Sequence, residues 1–156
     1  MSVSNILRGH DLFQSLPVED VDTITTFSAV KNFDANSTLF KLNAKASHVF
    51  MLMEGEVHLI LPAQSSDHGI VVSTVERGEL FGLSPLLGSQ RYTLEAHCHR
   101  STSALAIEAA PFVELLQRHP VVGFHTMRQA AQIYFQRNID MLKNLQSVVS
   151  HIPLNH

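Results

Sequence analysis

Apolar and polar positions change rhythm twice along the chain. From Ser2 to Ile24 the pattern is helical in small pieces. Asp11 stands where it can cap a short turn holding Leu12 and Phe13. Pro17 can stand near the start of a second helix with Glu19, Asp20 and Asp22 in or near its first turn, acidic groups that complement the helix dipole. Leu16, Val21 and Ile24 give that helix one apolar face. From Phe27 to Ile107 the period shortens to that of strands, in runs such as "FSAVKNF", "TLFKL", "HVFMLME", "EVHLIL", "IVVSTVE", "RYTLEAHC" and "TSALAIE". Turn residues separate the runs. "DANS" and "QSSDHG" read as loops, and Gly55 reads as a tight hairpin turn with positive φ. Short strands at close spacing predict a sandwich or barrel, not a parallel α/β sheet. After Ile107 the period lengthens again. "APFVELLQRH" is a short helix ending before Pro120, and 121–149 predicts one long helix interrupted only by Gly123.

That long helix carries a second pattern. Phe124, Met127, Ala131, Tyr134, Asn138, Met141, Leu145 and Val148 follow steps of three and four, the repeat of a coiled-coil seam. Asn138 is its one strongly polar member, and a lone Asn at such a position can fix the register of a pair. Ile133, Ile139, Leu142 and Val149 lie off the seam and supply a second apolar face. A two-faced helix needs two partners: one face for the barrel, the other for the same helix of a second copy.

Composition narrows the function classes. The 156 residues suffice for one domain with a core, at 45% apolar and 16% charged residues. A net charge of −3 argues against non-specific nucleic-acid binding, which needs a basic face. Cys98 is the single cysteine, so no internal disulfide forms. No apolar run is long enough to span a bilayer, and a cytoplasmic location is expected. No nucleophile elbow accompanies the serines and histidines, so an enzyme is not expected. "HCH" at His97–His99 places two imidazoles on one strand face, with His48, His58 or His68 as further donors. Their spacing does not make a zinc site, and the glycine and glutamate of a cupin barrel motif are missing.

The stretch "GELFGLSPLLGSQRYT", Gly78 to Thr93, carries the candidate chemistry. Gly82 allows close backbone approach. Ser84 suits a helix N-cap and Pro85 the first helical position, so a short helix is expected to start there with its amides facing an anion. Arg91 supplies a guanidinium for that anion.

These pieces, in this order, resemble the cyclic-nucleotide-binding domain of the catabolite activator protein and of the protein kinase A regulatory subunit. The resemblance runs from about Asp11 to Leu145. It rests on "DLFQSLP", "LMEGEVHL", "RGELFGL", Arg91, Ala96 and "APFVELLQRHP". It implies a mainly β fold with flanking helices: a double-stranded β-helix, or jelly roll, over 27–109, preceded by N-terminal helices over 1–26. A short helix over 110–119 and a long dimerisation helix over 121–149 complete it. The ligand class it implies is a cyclic nucleotide or another small anionic molecule, and no other cofactor is fixed. The family's helix-turn-helix would follow the long helix. Only "SVVSHIPLNH" follows Gln146, so no DNA-binding domain is expected, and a separate protein partner for the output stays open.

Two departures qualify the ligand. The family places a glutamate after "FG" to accept a ribose hydroxyl, and here Leu83 stands there. A buried hydroxyl left unpaired costs about 1–3 kcal/mol, or roughly one to two decades of affinity. Glu79 precedes the turn and does not replace it. Arg91 also stands one residue nearer Ala96 than the family spacing, and a one-residue slip turns a strand side chain to the other face. Either a bulge restores Arg91 or Gln90 takes its place, with Tyr92 and Thr93 entering the ligand volume. From the long helix, the family's base-reading position falls near Arg137 and Asn138, and Asn138 competes with its seam role. Together the residues leave two functions open. One is a sensor in which Gly82, Leu83, Ser84, Arg91, Tyr92, Thr93, Arg137 and Asn138 surround an anion. The other is a ligand-free dimeric scaffold for protein interaction.

Overall fold

The structure is a computed structural model describing residues 1–65 and 69–150. Part of the "QSSDHG" loop, His68 and the tail 151–156 lie outside the described residues.

Eight strands form two antiparallel sheets. Strands β1 (Ser28–Phe33), β3 (His48–Glu54), β6 (Leu80–Phe81) and β8 (Thr102–Glu108) make one sheet in the order β1-β8-β3-β6. Strands β2 (Ser37–Phe40), β4 (Val57–Pro62), β5 (Gly69–Val75) and β7 (Glu95–Cys98) make the other, in the order β2-β7-β4-β5. Helices α1 (Val3–Arg8) and α2 (Val18–Thr26) precede the strands, while α3 (Ala109–Arg118) and α4 (Pro120–Ser150) follow.

In the first sheet, β3 and β8 alternate with a two-residue period and are buried on both faces, whereas β1 at the edge is largely exposed. Phe50, Leu52, Ala104 and Ala106 point into the sandwich against Val57, Leu59, Ala96 and Cys98 of the second sheet. Their neighbours Val49, Met51, Leu105 and Ile107 point outward, where Leu7, Phe13, Ile24, Phe112 and Leu115 of the N-terminal segment and α3 cover them. Leu16, Val21 and Ile24 are buried as their helical spacing predicts. Pro17 is the N-cap of α2, and Glu19 and Asp20 stand in its first turn. Asp11 does not cap a helix. Residues 10–16 run as successive turns, with Asp11 accepting a hydrogen bond from Gln14 at 3.3 Å.

Gly55 joins β3 to β4 at φ +98°, and a Cβ there would lie 2.4 Å from the Ser101 carbonyl oxygen. Both the turn and the close approach therefore require glycine.

One strand assignment is corrected. "RYTLEAHC" is a strand only from Glu95. Arg91 makes an isolated bridge to Lys45, and the chain between them is irregular.

Helix α4 spans 31 residues. It touches the sandwich through Val122, Thr126, Ala130 and Arg137, which are buried, and through half-buried Ile133 and Tyr134. After Arg137 no residue of α4 is buried. Thirteen residues at about 1.5 Å rise give an overhang of roughly 20 Å. Leu142 and Val149, expected on a barrel-facing side, are exposed because the helix has left the barrel before it reaches them.

Candidate functional site

The turn after β6 forms one wall of the site. Gly82 has φ +65°, and a Cβ on it would meet the rings of Phe40 and Phe50 at 3.1 Å. Close approach to Gly82 is thus used by aromatic side chains. Ser84–Leu87 form a 3-10 turn capped by Gly88 at φ +83°. The N-cap is Leu83, not Ser84, and makes no side-chain cap bond. Leu83 and Ser84 are both buried.

Arg91 and Tyr92 divide the two sides of the wall. Arg91 is exposed and points to an outer groove, where its Nη1 donates to the Asn43 carbonyl at 2.7 Å. Gln90 lines the same outer groove. Neither faces the inner cavity, so neither the bulge nor the Gln90 replacement expected from the spacing occurs. Tyr92, one residue on, takes the inside position in this irregular segment.

Tyr92 is 3% exposed and stacks on Phe40 with ring centroids 3.8 Å apart. Phe40 in turn stacks with Phe50 and Phe81. The Tyr92 hydroxyl donates to the His48 carbonyl at 2.7 Å and accepts from the His48 amide at 3.2 Å. Burial pushes this phenol's ionisation upward. The aromatic group occupies much of the space between the turn and α4. A cavity of about 20 Å³ remains, bounded by Gly82, Leu83, Ser84, Thr93, Tyr134 and Arg137, among others. That is room for about one water-sized occupant.

Arg137 closes this cavity from α4. It is 8% exposed, and its Nε and Nη2 have no hydrogen-bond partner among the described residues. Glu79 is its nearest carboxylate, with Oε1 4.0 Å from Nη2, beyond hydrogen-bond reach. The guanidinium carbon lies 5.4 Å from the Tyr134 ring centroid, within cation–π range. Burial pulls the Arg137 pKa below its ordinary value, opposed by Tyr134 and Glu79. Asn138 is exposed and lies outside the cavity lining.

The structure therefore brings together Gly82, Leu83, Ser84, Tyr92, Thr93 and Arg137, and leaves Arg91 and Asn138 apart. Phe40 and Tyr134 belong to the site although the sequence reading did not place them there. Tyr134 had a readable signal, since it stands three residues before Arg137 on one helix face. Phe40 had none, because its position depends on the pairing of β2 with β7.

Among the described residues no three metal-donor side chains come together, and no helix is long and apolar enough to cross a membrane. His58 and His99 stack at 4.7 Å, and His58 Nε2 is 2.7 Å from Glu56 Oε1.

The sequence model described as the cyclic nucleotide-binding domain matches residues 30–119. The chain belongs to the cyclic nucleotide-binding domain family. Three solved structures illustrate the likeness. A Geobacter metallireducens GS-15 protein assigned to cyclic nucleotide binding is 28% identical, with a TM-score of 0.72 over 88% of this chain and 98% of that one. The sensor domain of the transcriptional regulator DNR from Pseudomonas aeruginosa is 16% identical, with a TM-score of 0.72 over 87% of this chain and 96% of that one. The regulatory domain of Toxoplasma gondii PKA, solved with cAMP, is 20% identical, with a TM-score of 0.62 over 73% of this chain and 43% of that one. A search of curated proteins finds no match. In this member of the family, Leu83 follows "FG" and an aromatic stack lies inside the pocket.

Proposed function

We propose that this domain is a sensor module for a small anion, held between the Gly82–Ser84 turn and Arg137, and that occupancy acts through α4. One observation carries the reading: a buried guanidinium with two unpartnered nitrogens closes a cavity beside a glycine turn and two hydroxyl-bearing residues, Ser84 and Thr93. A buried cation without hydrogen bonds costs several kcal/mol, and an anion in the cavity offsets that cost with charge-assisted bonds. Because Arg137 lies on α4 and its cradle partners on the cassette, the anion ties the helix to the sandwich. The signal exists only if the anion binds two arrangements of α4 unequally.

The second element of the proposal is a pair of α4 helices. Phe124, Met127, Met141, Leu145 and Val148 are exposed on one chain, with Phe124 at 63% and Leu145 at 58%. Ala131 and Asn138 are exposed between them, and Tyr134 alone turns toward the core. An isolated amphipathic overhang is marginal in water, so a second copy is the partner that suits it.

A specific observation favours a second reading, a ligand-free dimeric scaffold. The Phe40–Tyr92 stack and the 20 Å³ cavity leave no room for a nucleotide, for which ligand sites of about 300 Å³ or more are usual. Thermal melting separates the readings. Chloride, nitrate, phosphate, cyclic AMP and cyclic GMP are titrated at constant ionic strength. The sensor reading predicts a saturable rise for a small anion, about 2.7 kcal/mol at one hundred times its Kd. It also predicts that Arg137→Met abolishes the rise, since the guanidinium that bonds the anion is gone. No rise with any anion supports the scaffold.

A further inference from the structure

The outer groove to which Arg91 turns is separate from the inner cavity, and the two share no lining residue. It has a volume of about 530 Å³, in the range of ligand sites. Its polar wall holds Lys45 and Arg91, and among the described residues no carboxylate lines it. Neither cation takes part in an ion pair among the described residues. The bond from Arg91 Nη1 to the Asn43 carbonyl fixes the guanidinium at the rim. The floor is apolar, made by Ala46, Pro85, Ala109 and Val113.

Val113 also lines a second groove, of about 340 Å³, between the 3-10 turn, α3 and α4. Leu86, Leu116 and Met127 line that groove, which contains no charged residue. Val113 is the lining residue common to both grooves. A cationic groove thus adjoins an uncharged, mainly apolar one beside α3.

We infer that this composite groove binds an amphipathic organic anion, with its carboxylate or phosphate head between Lys45 and Arg91 and its aliphatic chain over Val113 toward Leu86 and Leu116. Two cations without a carboxylate partner define the head, and the apolar continuation defines the chain. A small inorganic anion would leave the apolar channel uncovered, and a neutral lipid would leave both cations unpaired. The inference does not depend on the inner anion cradle.

Octanoate is the probe, with octyl phosphate to compare heads and octan-1-ol as the uncharged control. Isothermal titration calorimetry and amide chemical-shift mapping are run on the full chain. Octanoate is expected to saturate one site and shift the amides of Lys45, Gln90, Arg91 and Val113. Octyl phosphate should bind the same site, and octan-1-ol should bind at least tenfold more weakly. Removing a charge-assisted bond by Arg91→Gln or Lys45→Ala should weaken octanoate by about tenfold or more. Val113→Glu should abolish binding by placing a carboxylate on the floor. Arg137→Met should leave octanoate binding unchanged, which separates this site from the inner cavity. Circular dichroism confirms that each variant is folded. Equal binding of octan-1-ol and octanoate would overturn the inference. So would wild-type affinity in Arg91→Gln and Lys45→Ala, shifts confined to another surface, or no saturable binding.

Discussion

Replacing Tyr92 with Phe removes one oxygen atom and keeps the ring that stacks on Phe40. The hydroxyl makes two bonds to the backbone of His48, donating to its carbonyl at 2.7 Å and accepting from its amide at 3.2 Å. His48 begins β3, so these bonds fasten the irregular segment after Arg91 to the central sheet. Their loss strands two backbone groups in a partly buried setting, at a cost of about 1–3 kcal/mol. With a urea m-value of about 1.5 kcal/mol/M, a loss of about 1.5 kcal/mol moves the midpoint by roughly 1 M, with m unchanged. The assay is urea unfolding followed by circular dichroism at one fixed protein concentration, since the stability of the proposed dimer would depend on concentration. The pH dependence supplies a second check. Burial raises the folded-state pKa of this phenol above its unfolded value. The neutral hydroxyl's contribution is therefore fully present below pH about 10 and is lost as pH rises through the raised folded value. The gap between the native chain and Tyr92→Phe should stay constant below that pH and shrink above it. A midpoint shift under about 0.3 M, or a gap that widens at high pH, would refute the reasoning.

Three other outcomes test separate parts of the structure. Gly123→Ala gains helix propensity of about 1 kcal/mol, but its Cβ would lie 2.6 Å from the Leu116 carbonyl oxygen, so a net fall in melting temperature is expected by circular dichroism. A rise would mean that α3 and α4 are not packed as described. Met127→Lys and Met141→Lys put charges into the proposed helix seam and should halve the mass seen by light scattering. An unchanged dimer mass would remove the seam. The Glu56 carboxyl is held below the usual carboxylate range, first by the His58 hydrogen bond and then by Arg100 and His99. Its stabilising contribution is present above the unfolded value and lost as pH falls through the depressed folded one. Carbon-detected NMR titration should show that shift and its reduction in His58→Ala. An identical titration in both chains would assign the shift to something other than His58.

Most of the fold is readable in the sequence because strand period and turn punctuation agree. "HVFMLME" alternates inward Phe50 and Leu52 with outward Val49 and Met51, and Gly55 marks the turn that follows. The long helix was expected over 121–149 and runs Pro120–Ser150. The pocket was less legible. Its chemistry depends on which of Arg91 and Tyr92 points inward, and a change of one residue in loop length reverses that choice. The spacing to Ala96 gave warning of a slip, but it did not reveal that the segment would leave the strand altogether. Phe40 could not be assigned to the pocket, because stacking with Tyr92 is a tertiary pairing without local signature. Arg137 is located by counting along the helix, but the lack of hydrogen bonds to its Nε and Nη2 among the described residues depends on burial that only the packed structure defines. Glu79, dismissed as a sugar reader, proves to be the carboxylate nearest that guanidinium.

Arg137 is thus the centre of the account, and locating an anion beside it is the most direct test. Crystals of the native chain soaked in bromide and measured for anomalous scattering would do this, with Arg137→Met crystals as control. The account predicts a bromide peak within hydrogen-bond distance of the Arg137 guanidinium, facing the Gly82–Ser84 turn, and its disappearance in the variant. An inner cavity without a peak, or a peak that persists in Arg137→Met, would contradict it.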